Sequence, residues 1–165
     1  VAGRSGRKEP LIMSFPHLDN DLIEQIFQRL RRIPPDARPR WGCMDRPAMI
    51  RHLIWMVRYA MGRSDNLPPL HNWLTRNLVK PLILGGWVAM PRNIRLPQQY
   101  REMEIVLQEP GDEETLRALL EDYVNLVQAD ELTPRDHPFF GPMSVDDWDR
   151  FLVIHIDHHL RQFGV

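Results

Sequence analysis

Apolar residues recur at helical spacing in four stretches of the chain. From Asp19 to Ile33, the side chains of Leu22, Ile23, Ile26, Phe27, Leu30 and Ile33 make one stripe. Glu24, Gln25, Arg29 and Arg31 fall on the opposite face, as in a helix laid on a core. Asp19 stands where an N-cap is wanted. A second stretch starts near Asp45, tolerates Pro47 in its first turn and ends near Gly62. Met49, Leu53, Met56, Val57, Ala60 and Met61 are its apolar face.

After Pro110-Gly111, the acidic run Asp112-Glu113-Glu114 suits a helix N-terminus. Leu116, Leu119, Leu120, Tyr123, Leu126 and Val127 continue it. The last stretch opens with Ser144 as cap and Asp147 as the acidic half of a capping box. It runs to about Gln162 and stops at Gly164. A less regular helical region covers about His71 to Leu84, with a break expected near Pro81. No run alternates convincingly as a strand; residues 101–108, with Met103, Ile105 and Leu107, are the ambiguous case.

Proline clusters at 34–39, 68–69, 91–97 and 134–142 separate these elements. The pattern predicts an all-α protein, a four-helix bundle with an additional short helical segment and long loops. The length of 165 residues suits one domain, taken as 15–165. Residues 1–14 carry Arg4, Arg7, Lys8, two glycines and Pro10 without a period, and read as a disordered or leader segment. The most apolar run, Val79 to Met90, is expected to be buried or to line a pocket.

Composition narrows the function classes. A net charge of -1 supplies no field toward nucleic acid or anionic membranes. No run is long enough to span a bilayer, and a cytoplasmic location is expected. The single cysteine, Cys43, precludes an internal disulfide, and it reads as an inert buried residue.

The candidate chemistry lies in the last stretch. At about 100° per residue, Trp148, Leu152, His155, His159 and Gln162 share a sector of less than a quarter turn. Asp157 points away and His158 lies to the side. Two imidazoles on an otherwise apolar face need partners, since unpaired buried polar groups are costly. A shared metal is an economical partner, and backbone or water is the bland one. His52 sits on an inward face with Met49 and Met56, so a third imidazole is available. Ile156 follows the first histidine where a zinc protease of the HExxH type needs glutamate, which argues against that chemistry.

His137 lies in His137-Pro138-Phe139-Phe140-Gly141, a loop able to fold over the site with Phe139 and Phe140 as walls. An aromatic anchor without chemistry is the competing reading. His17 and His71 are expected to be solvated, as are Arg101, Arg135 and Arg161.

An upstream histidine followed by H-x-x-x-H-x-x-Q in the last helix resembles the DinB-like (DinB/YfiT-like) superfamily of metal-dependent four-helix proteins. Trp41-Gly42-Cys43-Met44, Ile50-Arg51-His52-Leu53, His137 to Gly141 and His155 to Gly164 are most similar to one branch, catalogued as a domain of unknown function. The resemblance covers about Asp19 to Gly164. It implies an up-down-down-up bundle, often paired as a homodimer, holding nickel or zinc through His52, His155 and His159. Thiol S-transferases that use bacillithiol or mycothiol, and a mycothiol-dependent maleylpyruvate isomerase, belong to the superfamily.

The resulting expectation is a metal-dependent transferase, or a hydrolase-like enzyme, acting through an activated thiol or water on a small molecule. Gln162 would support a ligand or the bound group, and Trp148, Phe139 and Phe140 would exclude water. Three imidazoles alone suit zinc, nickel, copper and iron alike. Two other classes compete. A non-catalytic binder or stress-response protein would have a closed site, with His158 or His137 as fourth ligand. A metal-free interaction module would expose an apolar patch elsewhere.

Overall fold

The computed structural model describes residues 16–92 and 108–165. The leader at 1–14, Arg101 and all but the last residue of the ambiguous stretch 101–108 lie outside the described residues. Among the described residues the chain is all-helical and has no strand. The order is α1 (Asn20–Leu30), α2 (Arg46–Ala60), a π turn (Thr75–Val79) running into α3 (Lys80–Leu84), α4 (Glu113–Gln128) and α5 (Val145–Gln162).

The starts of the long helices follow from their caps. Asp19, Asp45 and Asp112 each accept a backbone N–H from three residues on, at Leu22, Ala48 and Thr115. Ser144 and Asp147 form the complete capping box, each side chain accepting the other's N–H. Helix α1 ends earlier than its stripe, at Leu30, although Ile33 is still buried. Pro34 follows and restrains Ile33 from helical dihedrals.

The break expected at Pro81 is absent. The proline sits in the first turn of α3, where its missing N–H costs nothing. The irregularity falls upstream, as a π turn closed by the Lys80 N–H on the Thr75 carbonyl.

Helix α4 packs against α1 and α2, and α5 packs against α1, α2 and α3. Ile23, Leu53, Leu116, Leu120, Tyr123, Trp148 and Leu152 are wholly buried at the centre. The chain ahead of α1 is pinned to α5, because Asp149 accepts from the Leu18 N–H and pairs with His17 Nδ1 at 2.9 Å. His17 is thus partnered, although its side chain is largely exposed.

The segment from the π turn through α3 is two-sided. Val79 and Ile83 face a cavity. Trp73, Leu74, Leu78, Trp87 and Val88 are exposed. The apolar run at 79–90 therefore lines a pocket only in part. Among the described residues no helix is long and apolar enough to cross a membrane.

Candidate metal centre

Helices α2 and α5 bring three imidazoles together. His52 projects from the middle of α2; His155 and His159 stand one turn apart on α5. His155 Nε2 lies 3.0 Å from His52 Nε2 and 3.0 Å from His159 Nε2. His155 and His159 are buried, and His52 is half-buried. Among the described residues no further histidine, cysteine or carboxylate joins this group within 4.8 Å.

Gln162 determines which nitrogen of His159 carries the proton. Its Oε1 accepts from His159 Nδ1 at 2.7 Å, and its Nε2 points at the Trp41 carbonyl at 3.4 Å. Flipping the amide would set oxygen against oxygen at Trp41, so the orientation follows from the network. His159 Nδ1 is therefore the N–H, and its Nε2 presents a bare lone pair to the other two rings.

The convergence is what a divalent ion requires. A proton on His155 Nε2 can satisfy one of its two 3.0 Å neighbours, not both. Two nitrogens bound to one ion at ~2.0–2.1 Å stand roughly 2.9–3.4 Å apart, for angles from square to tetrahedral. The observed spacing suits this. A cation would face the bare lone pair of His159, with outer support already in place there.

Burial keeps these rings neutral. It drives His159 down to about 3, helped by the neighbouring His52 and opposed by the hydrogen bond to Gln162. Burial, then His159 and His52, holds His155 well below the ordinary histidine value. Neutral imidazole is the form that ligates metal. His155 Nδ1 is buried with no hydrogen-bond partner.

The support for Gln162 comes from the loop before α2. The Arg40 N–H donates to the Gln162 carbonyl at 2.6 Å. Gly42 adopts φ +76, and a Cβ there would stand 3.0 Å from Gln162 Nε2. Glycine is needed on both counts. In the sequence, the only signal of this role for Gly42 is its place in the phrase Trp41-Gly42-Cys43-Met44.

A cavity of about 410 Å³ opens beside the centre. His52, His155, His158, His159 and Gln162 form one wall, and Trp55, Met56, Val79, Ile83 and Phe151 form others. The loop 137–141 covers it with Phe139 and Phe140, closed by paired 2.8 Å hydrogen bonds between His137 and Gly141.

His137 lines the cavity but is engaged otherwise. Its Nδ1 accepts the N–H groups of Phe139 and Phe140 at 3.1 and 3.3 Å, so its proton sits on Nε2. Burial drives it down to about 3. His158 is half-buried at the cavity edge, its ring edge-on to His159 and Trp41. Burial and the Arg92 guanidinium lower it.

Other expected residues lie elsewhere. Trp148 is wholly buried below the cavity and does not line it; its Nε1 donates to the Arg135 carbonyl at 2.7 Å. Cys43 is exposed at the cavity rim rather than buried, since Gly42 turns the chain outward there. Arg135 is not solvated: it donates to the Tyr59 and Ser64 carbonyls and stacks on Tyr59. Arg161 and Arg29 both pair with Asp157, on the side of α5 away from the centre.

No curated protein and no solved structure matches the chain. The family model described as "Protein of unknown function (DUF1569)" matches residues 17–164. That span holds all three imidazoles, Gln162, the Gly42 turn and the loop that covers the cavity, and so the chain belongs to the DUF1569 family.

Proposed function

We propose that this protein binds a divalent metal, zinc or nickel, through His52, His155 and His159, and acts on a small molecule held in the adjoining cavity. The observation that carries the reading is the meeting of three imidazole Nε2 atoms, one stripped of its proton by Gln162. A bound divalent ion would supply Lewis acidity, easing loss of a proton from a thiol or water beside it. His52, His155 and His159 contribute neutral donors and leave remaining positions open. Gln162 holds the His159 ring in the ligating tautomer. Phe139, Phe140 and Phe151 keep water from the apolar side.

The same reading makes the protein a thiol S-transferase or a related enzyme on a DinB-like four-helix bundle. Its support is the packing of α4 on α1 and α2 and of α5 on α1 and α2, with the triad divided between α2 and α5. A second reading, an interaction module, draws on the exposed apolar side chains between Trp73 and Val88. The two are compatible, because that face lies opposite Val79 and Ile83.

Elemental analysis of purified protein tests the proposal, with His52→Ala beside it. Roughly one metal per chain, lost in the variant, is the expected result. No metal in either protein after reconstitution with zinc and nickel would reject it.

A further inference from the structure

We infer that the cavity takes an uncharged, largely apolar molecule with one sulfur or oxygen donor reaching the three imidazoles. This rests on the metal reading above and adds the class of ligand. Among the described residues, no aspartate, glutamate, lysine or arginine lines the cavity. Arg92 lies at the His158 edge, over the Trp41 ring, and two other cations close to the walls are committed elsewhere. Lys80 Nζ is held by Asp147 at 2.7 Å and the Pro142 carbonyl at 2.6 Å. Arg135 donates to the Tyr59 and Ser64 carbonyls.

Three polar groups in the walls are committed too. Tyr59 donates to the Asp136 carbonyl, Thr75 Oγ1 bonds Asn72, and the Gln162 amide is used at both ends. The converging Nε2 atoms of His52, His155 and His159 are where a donor atom of the ligand would be held. Deep in the cavity, away from Arg92, a charged ligand would lose hydration and meet no counter-ion among the described residues. The charged arms of a hydrophilic thiol therefore stay outside, and the buried ligand is the apolar one. At about 30 Å³ per non-hydrogen atom, taken from the volume share of water, the space holds roughly a dozen such atoms.

The test is a matched set of probes, measured anaerobically by calorimetry and by the fluorescence of cavity-lining Trp55. On zinc-loaded protein, benzyl mercaptan is compared with its para-carboxylate. On metal-free protein, benzyl alcohol is compared with its para-carboxylate. The neutral member of each pair is expected to bind at least about tenfold more tightly. Equal or tighter binding of the carboxylates, or no binding of either neutral probe, overturns the inference. Failure of zinc to bind, with the neutral preference kept in metal-free protein, overturns the metal reading and supports the ligand class.

Discussion

The loop 137–141 and the C-terminal half of α5 each bury a histidine driven down to about 3, yet the two rings are wired in opposite senses. His137 Nδ1 accepts two backbone N–H groups, so it fastens its loop and keeps its proton on Nε2. His159 Nδ1 donates to Gln162, so its Nε2 is bare and faces two more imidazoles. Burial and depressed basicity are common to both. Only the partner on Nδ1 separates a residue that ties a loop from one prepared to ligate. It also removes His137 as a fourth ligand, because ligation through Nε2 would force a proton onto Nδ1 against two donors.

The sharpest way to break this comparison is to delete each ring and count metal. His159→Ala is expected to lose essentially all bound metal, by more than the roughly 10–100-fold that loss of an outer partner costs. His137→Asn is expected to keep it, since Asn Oδ1 can accept the same two backbone N–H groups. Elemental analysis of both variants decides the matter. Loss of metal in His137→Asn at full fold would show that the loop histidine ligates after all.

Acid stability is the next largest effect. The folded value for His137 is depressed from 6.5 to about 3. Its contribution is therefore present above pH 6.5 and drains away as pH falls toward 3, because the unfolded chain takes up a proton that the folded chain refuses. At about 1.4 kcal/mol per unit, metal-free wild type should lose roughly 2–3 kcal/mol between pH 7 and 4.5 from this ring alone. Urea unfolding across that range should show His137→Asn losing less by that amount. Parallel pH profiles would count against a buried neutral ring.

The helices were plain from sequence because their signals are local. A capping aspartate or serine and an apolar stripe act within one or two turns: Asp19 and Ser144 cap as expected, and Asp45 and Asp112, expected only near their helix starts, prove to be caps as well. The triad was legible for a related reason: the i, i+4 spacing of His155 and His159 fixes their shared face, and His52 faces inward on its own helix. What stayed hidden is set by contacts between distant segments. The proton on His137 depends on the closure of its own loop, and the outward turn of Cys43 depends on Gly42. The wheel put Trp148 on the triad's face, but α5 is long enough for that face to leave the cavity and enter the core.

Gln162 allows a milder cut. Gln162→Leu keeps volume but frees His159 to hold its proton on either nitrogen. Metal affinity should fall about 10–100-fold without abolishing binding. Competition with a colorimetric chelator measures this. Unchanged affinity would mean that the tautomer is held by something other than the amide.

The smallest effect tests the loop that positions Gln162, and the molecule contains its own control. Gly42 and Gly62 have nearly the same backbone, φ +76 and φ +71. Alanine at either should cost about 1–2 kcal/mol of stability from left-handed strain alone. They differ in surroundings. A Cβ at Gly62 meets nothing within 4 Å, whereas one at Gly42 presses on Gln162 Nε2 at 3.0 Å. That contact pushes the amide off the Trp41 carbonyl, removing the anchor that aims Oε1 at His159. Both variants should therefore melt earlier by a similar amount, and only Gly42→Ala should also weaken metal binding, by less than Gln162→Leu does. Equal metal affinity in the two alanine variants would show that Gln162 needs no help from the 40–43 loop, and the α5 helix alone would then set the tautomer that distinguishes His159 from His137.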